Sequence, residues 1–299
     1  MKRHEMLARA TKVMLMSIVM LGATVQLTGA CNYRETESES VAAVAATMTP
    51  TDNQAAMADN DQNEFRWRKQ LAAGRVIEIK GVNGNVRAEA AAGGEAEVVA
   101  TKRGRKSNPS EVEIRLLEHA GGVTICAVYP SGDASRPNGC EPGDAWRSHT
   151  RNNDVVVEFV VRVPAGVRFD GRTVNGEVEA RSLGADVRAH TVNGGIEVST
   201  RGYVEAKTVN GSINARFGNA NWTGMLDFET VNGSIELELP ADTSTDVRAE
   251  TLNGDVTTDF PISVQGNYSK RKMSGVIGAG GRELALKTVN GAIRIRRAP

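Results

Sequence analysis

The sequence predicts an all-β chain built as a β-solenoid of repeats of about 16–22 residues, and three observations carry that expectation. First, Asn-Gly corners recur at Asn83, Asn175, Asn193, Asn210, Asn232, Asn253 and Asn290, and from Asn175 to Asn253 the steps are 18, 17, 22 and 21 residues. Self-similarity at such a period marks a repeat architecture. Second, apolar and charged residues alternate on both sides of each corner. Val187, Ala189 and Thr191 lead into Val192-Asn193-Gly194, and Ile196 and Val198 follow; Leu284, Leu286 and Thr288 lead into Val289-Asn290-Gly291, and Ile293 and Ile295 follow. A period of two is the mark of a strand with one face buried. Third, glycine is abundant at 31 residues while aromatics make up only 4%, which suits many tight corners.

The N-terminus reads as an export signal over residues 1–30. Lys2, Arg3, Arg9 and Lys12 form a basic region, and Val13 to Leu27 is apolar. That stretch falls short of the roughly 20 residues of a membrane span and fits a signal-peptide core. Small residues Thr28-Gly29-Ala30 precede Cys31. Cys31 is either the lipidated first residue of a lipoprotein or a plain thiol after ordinary cleavage. The order of residues resembles a bacterial lipobox, except that Leu27 lies one place early. Residues 31–66 are poor in apolar bulk and rich in Glu, Ser, Thr, Asp and Asn, and read as a flexible tether. Residues 67–165 carry strand-like runs such as Val155-Val157-Phe159-Val161-Val163, with a loop that holds Cys126 and Cys140. Outside the cytoplasm these two are expected to form a disulfide. Residues 166–299 form the repeat region. Its last gap, 37 residues, is split into 21 and 16 if Lys272 to Ile277 is a degenerate corner.

An antiparallel meander or barrel is the alternative, because Asn-Gly between alternating strands is a strong hairpin signal, with Asn and Gly supplying a positive φ. Outward charges discriminate. Hairpins would set Glu229 against Glu236, Asp227 against Glu238 and Lys287 against Arg294. Stacking in sequence order sets Arg188 against Glu205 and Arg216 against Glu238, but also Glu229 against Glu250 and Glu238 against Asp259. Recurrence of Thr, Val, Asn and Gly at one place per repeat favours the stack, where like side chains form ladders. The asparagines are therefore expected to support architecture, with Asn210 and Asn232 inside the ladder and Asn290 near its C-terminal end.

The repeats Thr173 to Val178, Thr208 to Ile213, Thr230 to Ile235 and Thr288 to Ile293 resemble a bacterial family of β-strand-repeat proteins, usually described as candidate adhesins of unknown function. The likeness runs from about Arg75 to Arg296 and includes Ile77 to Gly84 and Val163 to Val167. It implies a right-handed β-solenoid on the outer side of a bacterial membrane, in the periplasm, outer membrane or cell surface, and implies no catalytic residues.

Chemistry is sparse. Lys plus Arg equals Asp plus Glu at 36 each; removing the four basic and one acidic residue of the first thirty leaves 32 basic and 35 acidic, so no basic excess favours nucleic acid. No Gly-x-Ser-x-Gly elbow occurs, and Gly278 to Gly281 lacks the lysine of a phosphate loop. Of His119, His149 and His190, the last two read as surface residues. Asp227, Glu229, Glu236 and Glu238 are expected to form an acidic patch on one coil, the one feature that a solenoid polysaccharide lyase or hydrolase could use. No cofactor and no metal is expected, since two Cys without paired His cannot complete a zinc shell. Trp222, in an insert over residues 218–224, either protrudes as a contact residue or folds back over the coil edge. The expected function is a non-catalytic, adhesin-like or scaffolding element of the envelope, with a carbohydrate-active enzyme as alternative. Envelope polysaccharide or a surface protein is the expected partner, with the membrane added if Cys31 is acylated.

Overall fold

The computed structural model describes residues 57–61, 63–144, 146–220, 222, 224–264 and 269–299. The export signal, Cys31 and most of the tether lie outside the described residues. Strands begin at β1 (Met57–Asp61) and β2 (Glu64–Gln70), so the tether assigned to residues 31–66 ends earlier than its composition suggested. Phe65 and Trp67 are the reason: both are buried, and they anchor β2 to β5 (Glu95–Arg103). Between them run β3 (Val76–Lys80) and β4 (Val86–Ala90); β6 (Glu113–His119), β7 (Gly122–Val128) and β8 (Val156–Val163) complete the N-terminal part. The repeats supply β9 (Arg168–Arg172), β10 (Val178–Leu183), β11 (Val187–His190), β12 (Ile196–Thr200), β13 (Val204–Lys207), β14 (Ile213–Phe217), β15 (Met225–Glu229) and β16 (Ile235–Leu239). The C-terminal part holds β17 (Thr245–Asn253), β18 (Val256–Thr258), β19 (Ile262–Val264), β20 (Lys272–Ile277), β21 (Glu283–Asn290) and β22 (Ile293–Arg297). The described residues contain no α-helix, only a 3-10 turn at Pro109–Glu111.

Two sheets of 11 strands face each other across the core. The first runs β1-β2-β5-β8-β4-β10-β12-β14-β16-β22-β18, and the second β19-β20-β17-β21-β15-β13-β11-β9-β3-β7-β6. The strands flanking each Asn-Gly corner belong to different sheets and pair parallel with their counterparts in the next coil. The hairpin alternative is thereby excluded. Strands β3 and β4 are a coil like those of the repeats, so the sheets pass through the boundary drawn at 165/166 without a break, and Asp52–Pro299 is one compact unit. Inside, register aligns Val86, Val178, Ile196, Ile213, Ile235, Ile293 and Val256 in one column of β-branched side chains. Such columns pack well on pleated sheets and explain the Ile/Val two places after each glycine.

The coils do not stack in sequence order at the C-terminal end. β21 pairs with β15 on one side and β17 on the other, and β22 lies between β16 and β18. The last coil of the chain is thus inserted between its two predecessors. Lys272 to Ile277, expected as a corner, is instead the continuous strand β20, antiparallel to β17.

Each residue of the Thr-Val-Asn-Gly motif has a separate cause. The threonine is buried and its hydroxyl donates to the glycine carbonyl of the adjacent coil, as Thr208 to Gly194 at 2.9 Å and Thr230 to Gly211 at 2.8 Å. Glycine is needed for closeness, not for a left-handed backbone. A Cβ on Gly211 would stand 1.9 Å from the carbonyl oxygen of Gly194, whereas of the corner residues only Gly84 has a positive φ. The expected positive φ at the asparagines is absent too. Their side chains form one directed ladder: Asn175 donates to Asn83, Asn193 to Asn175, Asn210 to Asn193, Asn232 to Asn210, Asn290 to Asn232 and Asn253 to Asn290, at 2.7–2.8 Å. Asn290 is internal, and Asn253 ends the row. Because the row from Asn175 to Asn253 is exposed, water competes for every amide, and a net hydrogen bond is worth about 0.5–1.5 kcal/mol. Asn232→Ala and Asn290→Ala should therefore lower stability alike, by about 1 kcal/mol, and Asn253→Ala by less. Melting temperatures of the three variants check this; a cost at Asn253 equal to the others would contradict the ladder.

Candidate functional site

The outer face of the second sheet carries two rows of polar and charged residues. Register sets Thr124, Glu78, Asp170, Arg188 and Glu205 in one row across β7, β3, β9, β11 and β13. Beside it runs a second row: Cys126, Lys80, Arg172, His190 and Lys207. Three of these four bases are paired with acids, and the fourth, His190, is disfavoured as a cation. Lys80 Nζ lies 3.2 Å from Glu78, Arg172 binds Asp170 through two bonds of 3.0 Å, and Lys207 pairs with Asp227.

The N-terminal end of this face lies beneath the segment of residues 129–155. Cys126 and Cys140 are joined there, with their Cα atoms 5.7 Å apart. Lys80 is fully buried and donates to the carbonyls of Glu141 and Gly143, at 2.6 Å for the latter. Glu78 in turn accepts from Thr124 Oγ1 at 2.7 Å and from the Gly143 amide at 3.1 Å. Arg172 reaches out to Asp144 at 2.7 Å, and that hydrogen bond holds the Asp144 carboxyl below its ordinary range. Burial opposes the charge on Arg172, but the bonds to Asp170 and Asp144 outweigh it and its basicity is raised. Tyr129 begins the segment where a Val-Asn-Gly corner would otherwise stand. Its hydroxyl donates to the Val155 carbonyl at 2.8 Å, and burial pushes its pKa up, making the phenol a weaker acid.

Beyond this cover the face opens into a groove of about 450 Å³. Arg168, Asp170, Asp186, Arg188, Tyr203 and Glu205 form its floor. His119 and Gly143 stand at one end, Gly224 and Met225 at the other. A second cavity of about 210 Å³ shares Met225 and is lined by Ala285, Ser274 and Gly275 together with Asp246, Arg248 and Glu283. Arg188 lies 3.2 Å from Glu205 and 3.9 Å from Asp170. The Tyr203 amide donates to Asp186 at 3.3 Å, and burial, followed by the charge of Asp186, raises the Tyr203 phenol.

His190, expected on the surface, is largely withdrawn from solvent, and its Nε2 has no hydrogen-bond partner. Burial first, then the neighbouring Arg172, lowers its pKa to about 4. Between that value and the ordinary 6.5 the unfolded chain binds a proton that the folded chain refuses, so stability rises with pH across this window and falls as pH drops through it. The wild type should lose a few kcal/mol between neutral pH and pH ~4 from this group alone. In His190→Gln that part of the loss should vanish; superimposable melting-temperature profiles for the two proteins would contradict it.

Other sequence expectations fare unevenly. Asp227 and Glu229 lie on the outer side of the second sheet, Glu236 and Glu238 on that of the first, so the four form no patch. Three of the four are paired: Lys207 with Asp227, Arg216 with Glu238 at 2.6 Å, and Arg296 with Glu236 at 3.0 Å. Trp222 does not protrude. It is 1% exposed, packs edge-on against Phe217 at 6.0 Å and donates Nε1 to the Glu283 carbonyl at 3.3 Å. His149 is exposed and its amide donates to Asn138. Among the described residues no group of three or more His, Cys, Asp or Glu is arranged to hold a metal ion. The groove residues were not singled out from sequence, although a signal exists. Arg168, Asp186 and Tyr203, like Asp170, Arg188 and Glu205, follow one another at the 18- and 17-residue steps of the corners.

Residues 165–296 match the model of the family Toastrack DUF4097. No curated protein matches the chain. Among solved structures the chain is similar to a candidate cell adhesion protein from Clostridium sporogenes ATCC 15579, with 12% identity over 78% of this chain and 99% of that one and a TM-score of 0.42. A candidate adhesin from Bacteroides fragilis NCTC 9343 is 7% identical over 80% of this chain and 98% of its own, with a TM-score of 0.25. Another, from Parabacteroides distasonis ATCC 8503, is 11% identical over 80% and 98%, with a TM-score of 0.23.

Proposed function

We propose that the chain is an exported, non-catalytic, adhesin-like element of the bacterial envelope that presents the outer face of its second sheet to a partner. The observation that carries this reading is the groove along that face, on whose floor Asp170, Arg188 and Glu205 are engaged with one another and Asp170 also with Arg172. Catalytic groups are instead held apart from countercharges or tuned by them toward the working pH. The acidic set that a polysaccharide-cleaving enzyme would need is divided between two walls, which removes the support for that alternative. An in-register stack is stiff and repetitive, and suits many weak contacts in parallel. We take the stack as right-handed, because parallel strand crossovers are so in about 98% of cases. Export begins with cleavage before Cys31, and acylation of Cys31 would fix the protein to a membrane.

Two measurements test this. Mass spectrometry of the mature N-terminus should find a start at Cys31, with added acyl mass if the chain is a lipoprotein; a retained Met1 sinks the export reading. The purified mature protein should bind envelope fractions and turn over none of a broad polysaccharide set. Turnover would overturn the non-catalytic reading, and absence of envelope binding would overturn the adhesin-like one.

A further inference from the structure

The geometry points to an uncharged oligosaccharide, lying across the strands of the second sheet, as the ligand of the groove; this rests on the adhesin-like reading and gives it a chemical partner. The floor sets the ligand's charge. Arg188 is shared by Glu205 and Asp170, and Asp170 also holds Arg172. A ligand with net charge would have to displace one of these partners and leave the other stranded at a partly covered surface. Hydroxyl groups need displace nothing. A paired carboxylate keeps acceptor sites and a paired guanidinium keeps N–H donors, and a hydroxyl can serve either.

Two further features set the ligand's shape. Tyr203, half-buried in the floor, offers a ring, and Met225, 55% exposed on the adjacent strand, offers a thioether. Together they supply apolar contact for the C–H faces of a sugar ring beside the polar row. The polar groups also recur once per strand, about 4.8 Å apart, so that from β3 to β15 the floor extends about 19 Å. A repeating linear ligand matches a repeating floor. Beyond Met225 the second cavity runs over the small residues Ala285 and Gly275, flanked by Glu283, Asp246 and Arg248.

The test is calorimetric titration of the mature protein with neutral hexasaccharides of glucose, mannose and N-acetylglucosamine, and with oligogalacturonate as the charged counterpart. At least one neutral hexasaccharide should bind, with an affinity that changes little between low and high salt. Tyr203→Ala and Asp186→Ala should each weaken it about tenfold. Lys287→Ala, on the same face but outside both cavities, should leave it unchanged, and thermal melts of all variants show that they fold. Tighter binding of oligogalacturonate that collapses with salt overturns the inference, as does neutral-sugar binding indifferent to both groove variants. Binding of wild type and groove variants to envelope fractions separates the two failures. If all bind the envelope equally and no sugar binds, the ligand assignment falls and the adhesin-like reading stands. If the wild type binds neither envelope nor sugar, both fall.

Discussion

Cutting the chain after Gly281 should unfold the C-terminal half of the stack, not shorten it by one coil. The removed strands β21 and β22 are the only bridge between β15/β16 and β17/β18 among the described residues. They bury Leu284, Leu286, Ile293 and Ile295, and at about 1.5–3 kcal/mol per side chain their loss costs about 6–12 kcal/mol. That equals the whole stability of an ordinary domain, about 5–15 kcal/mol. The remaining strands cannot close the gap at no cost. Direct contact would set Glu229 of β15 against Glu250 of β17, which Lys287 now separates by facing both. Limited proteolysis and far-UV circular dichroism read the outcome: residues 240–281 should become cleavable and strand signal should fall. A cooperative melt within a few degrees of the full chain would show that the neighbours re-pair and that the inserted coil is dispensable.

The same charges show how much of the fold was legible. Strand alternation is a local property, so strands and corners could be placed from sequence. Coil order is not local. The Thr-Val-Asn-Gly motif is alike in every repeat and fits any slot, so it says nothing about sequence of stacking. Only the outward residues differ, and cross-strand pairs are worth merely about 0.2–1 kcal/mol each. Yet stacking in chain order left Glu229 against Glu250 and Glu238 against Asp259. With the last coil inserted, Glu229 faces Lys287, Glu236 faces Arg294 and Glu238 faces Arg296. The like-charge clashes were the trace of a wrong order.

The groove was less legible, because it depends on a cover without periodicity. Residues 129–155 follow no repeat, and their placement over β3 and β7 rests on Cys126, Lys80 and Glu78. One trace was present. Gly122 to Val128 carries no charge on either face, and such a run reads as a strand covered on both sides. Lys80 and Glu78 interrupt a similar pattern in β3, where every residue from Ile77 to Lys80 is buried. Nothing local distinguishes a charge that faces solvent from one that a distant loop will cover. Trp222 illustrates the converse: the polar insert left open whether it protrudes or folds back, and Phe217 gives its ring a place to pack.

Lys80 therefore gives the second large effect, and Lys80→Met should cost about 3–5 kcal/mol, the usual penalty for breaking a buried ion pair from one side. Methionine fills the space, so a packing defect is not the cause. The Glu78 carboxylate would keep Thr124 and the Gly143 amide but lose its only countercharge within 4 Å among the described residues, and the carbonyls of Glu141 and Gly143 would lose their donor. At about 2–4 °C per kcal/mol for a domain of this size, the melting temperature should fall by roughly 6–20 °C. Adding Glu78→Gln to Lys80→Met should recover much of the loss, because no buried charge then remains unpaired. The unsatisfied carbonyls should keep the double variant below the wild type, at about 1–3 kcal/mol for a buried polar group left unpaired. Three melts complete the cycle. If Lys80→Met costs less than about 1 kcal/mol, as an exposed pair would, the cover does not exclude water and Lys80 is no anchor.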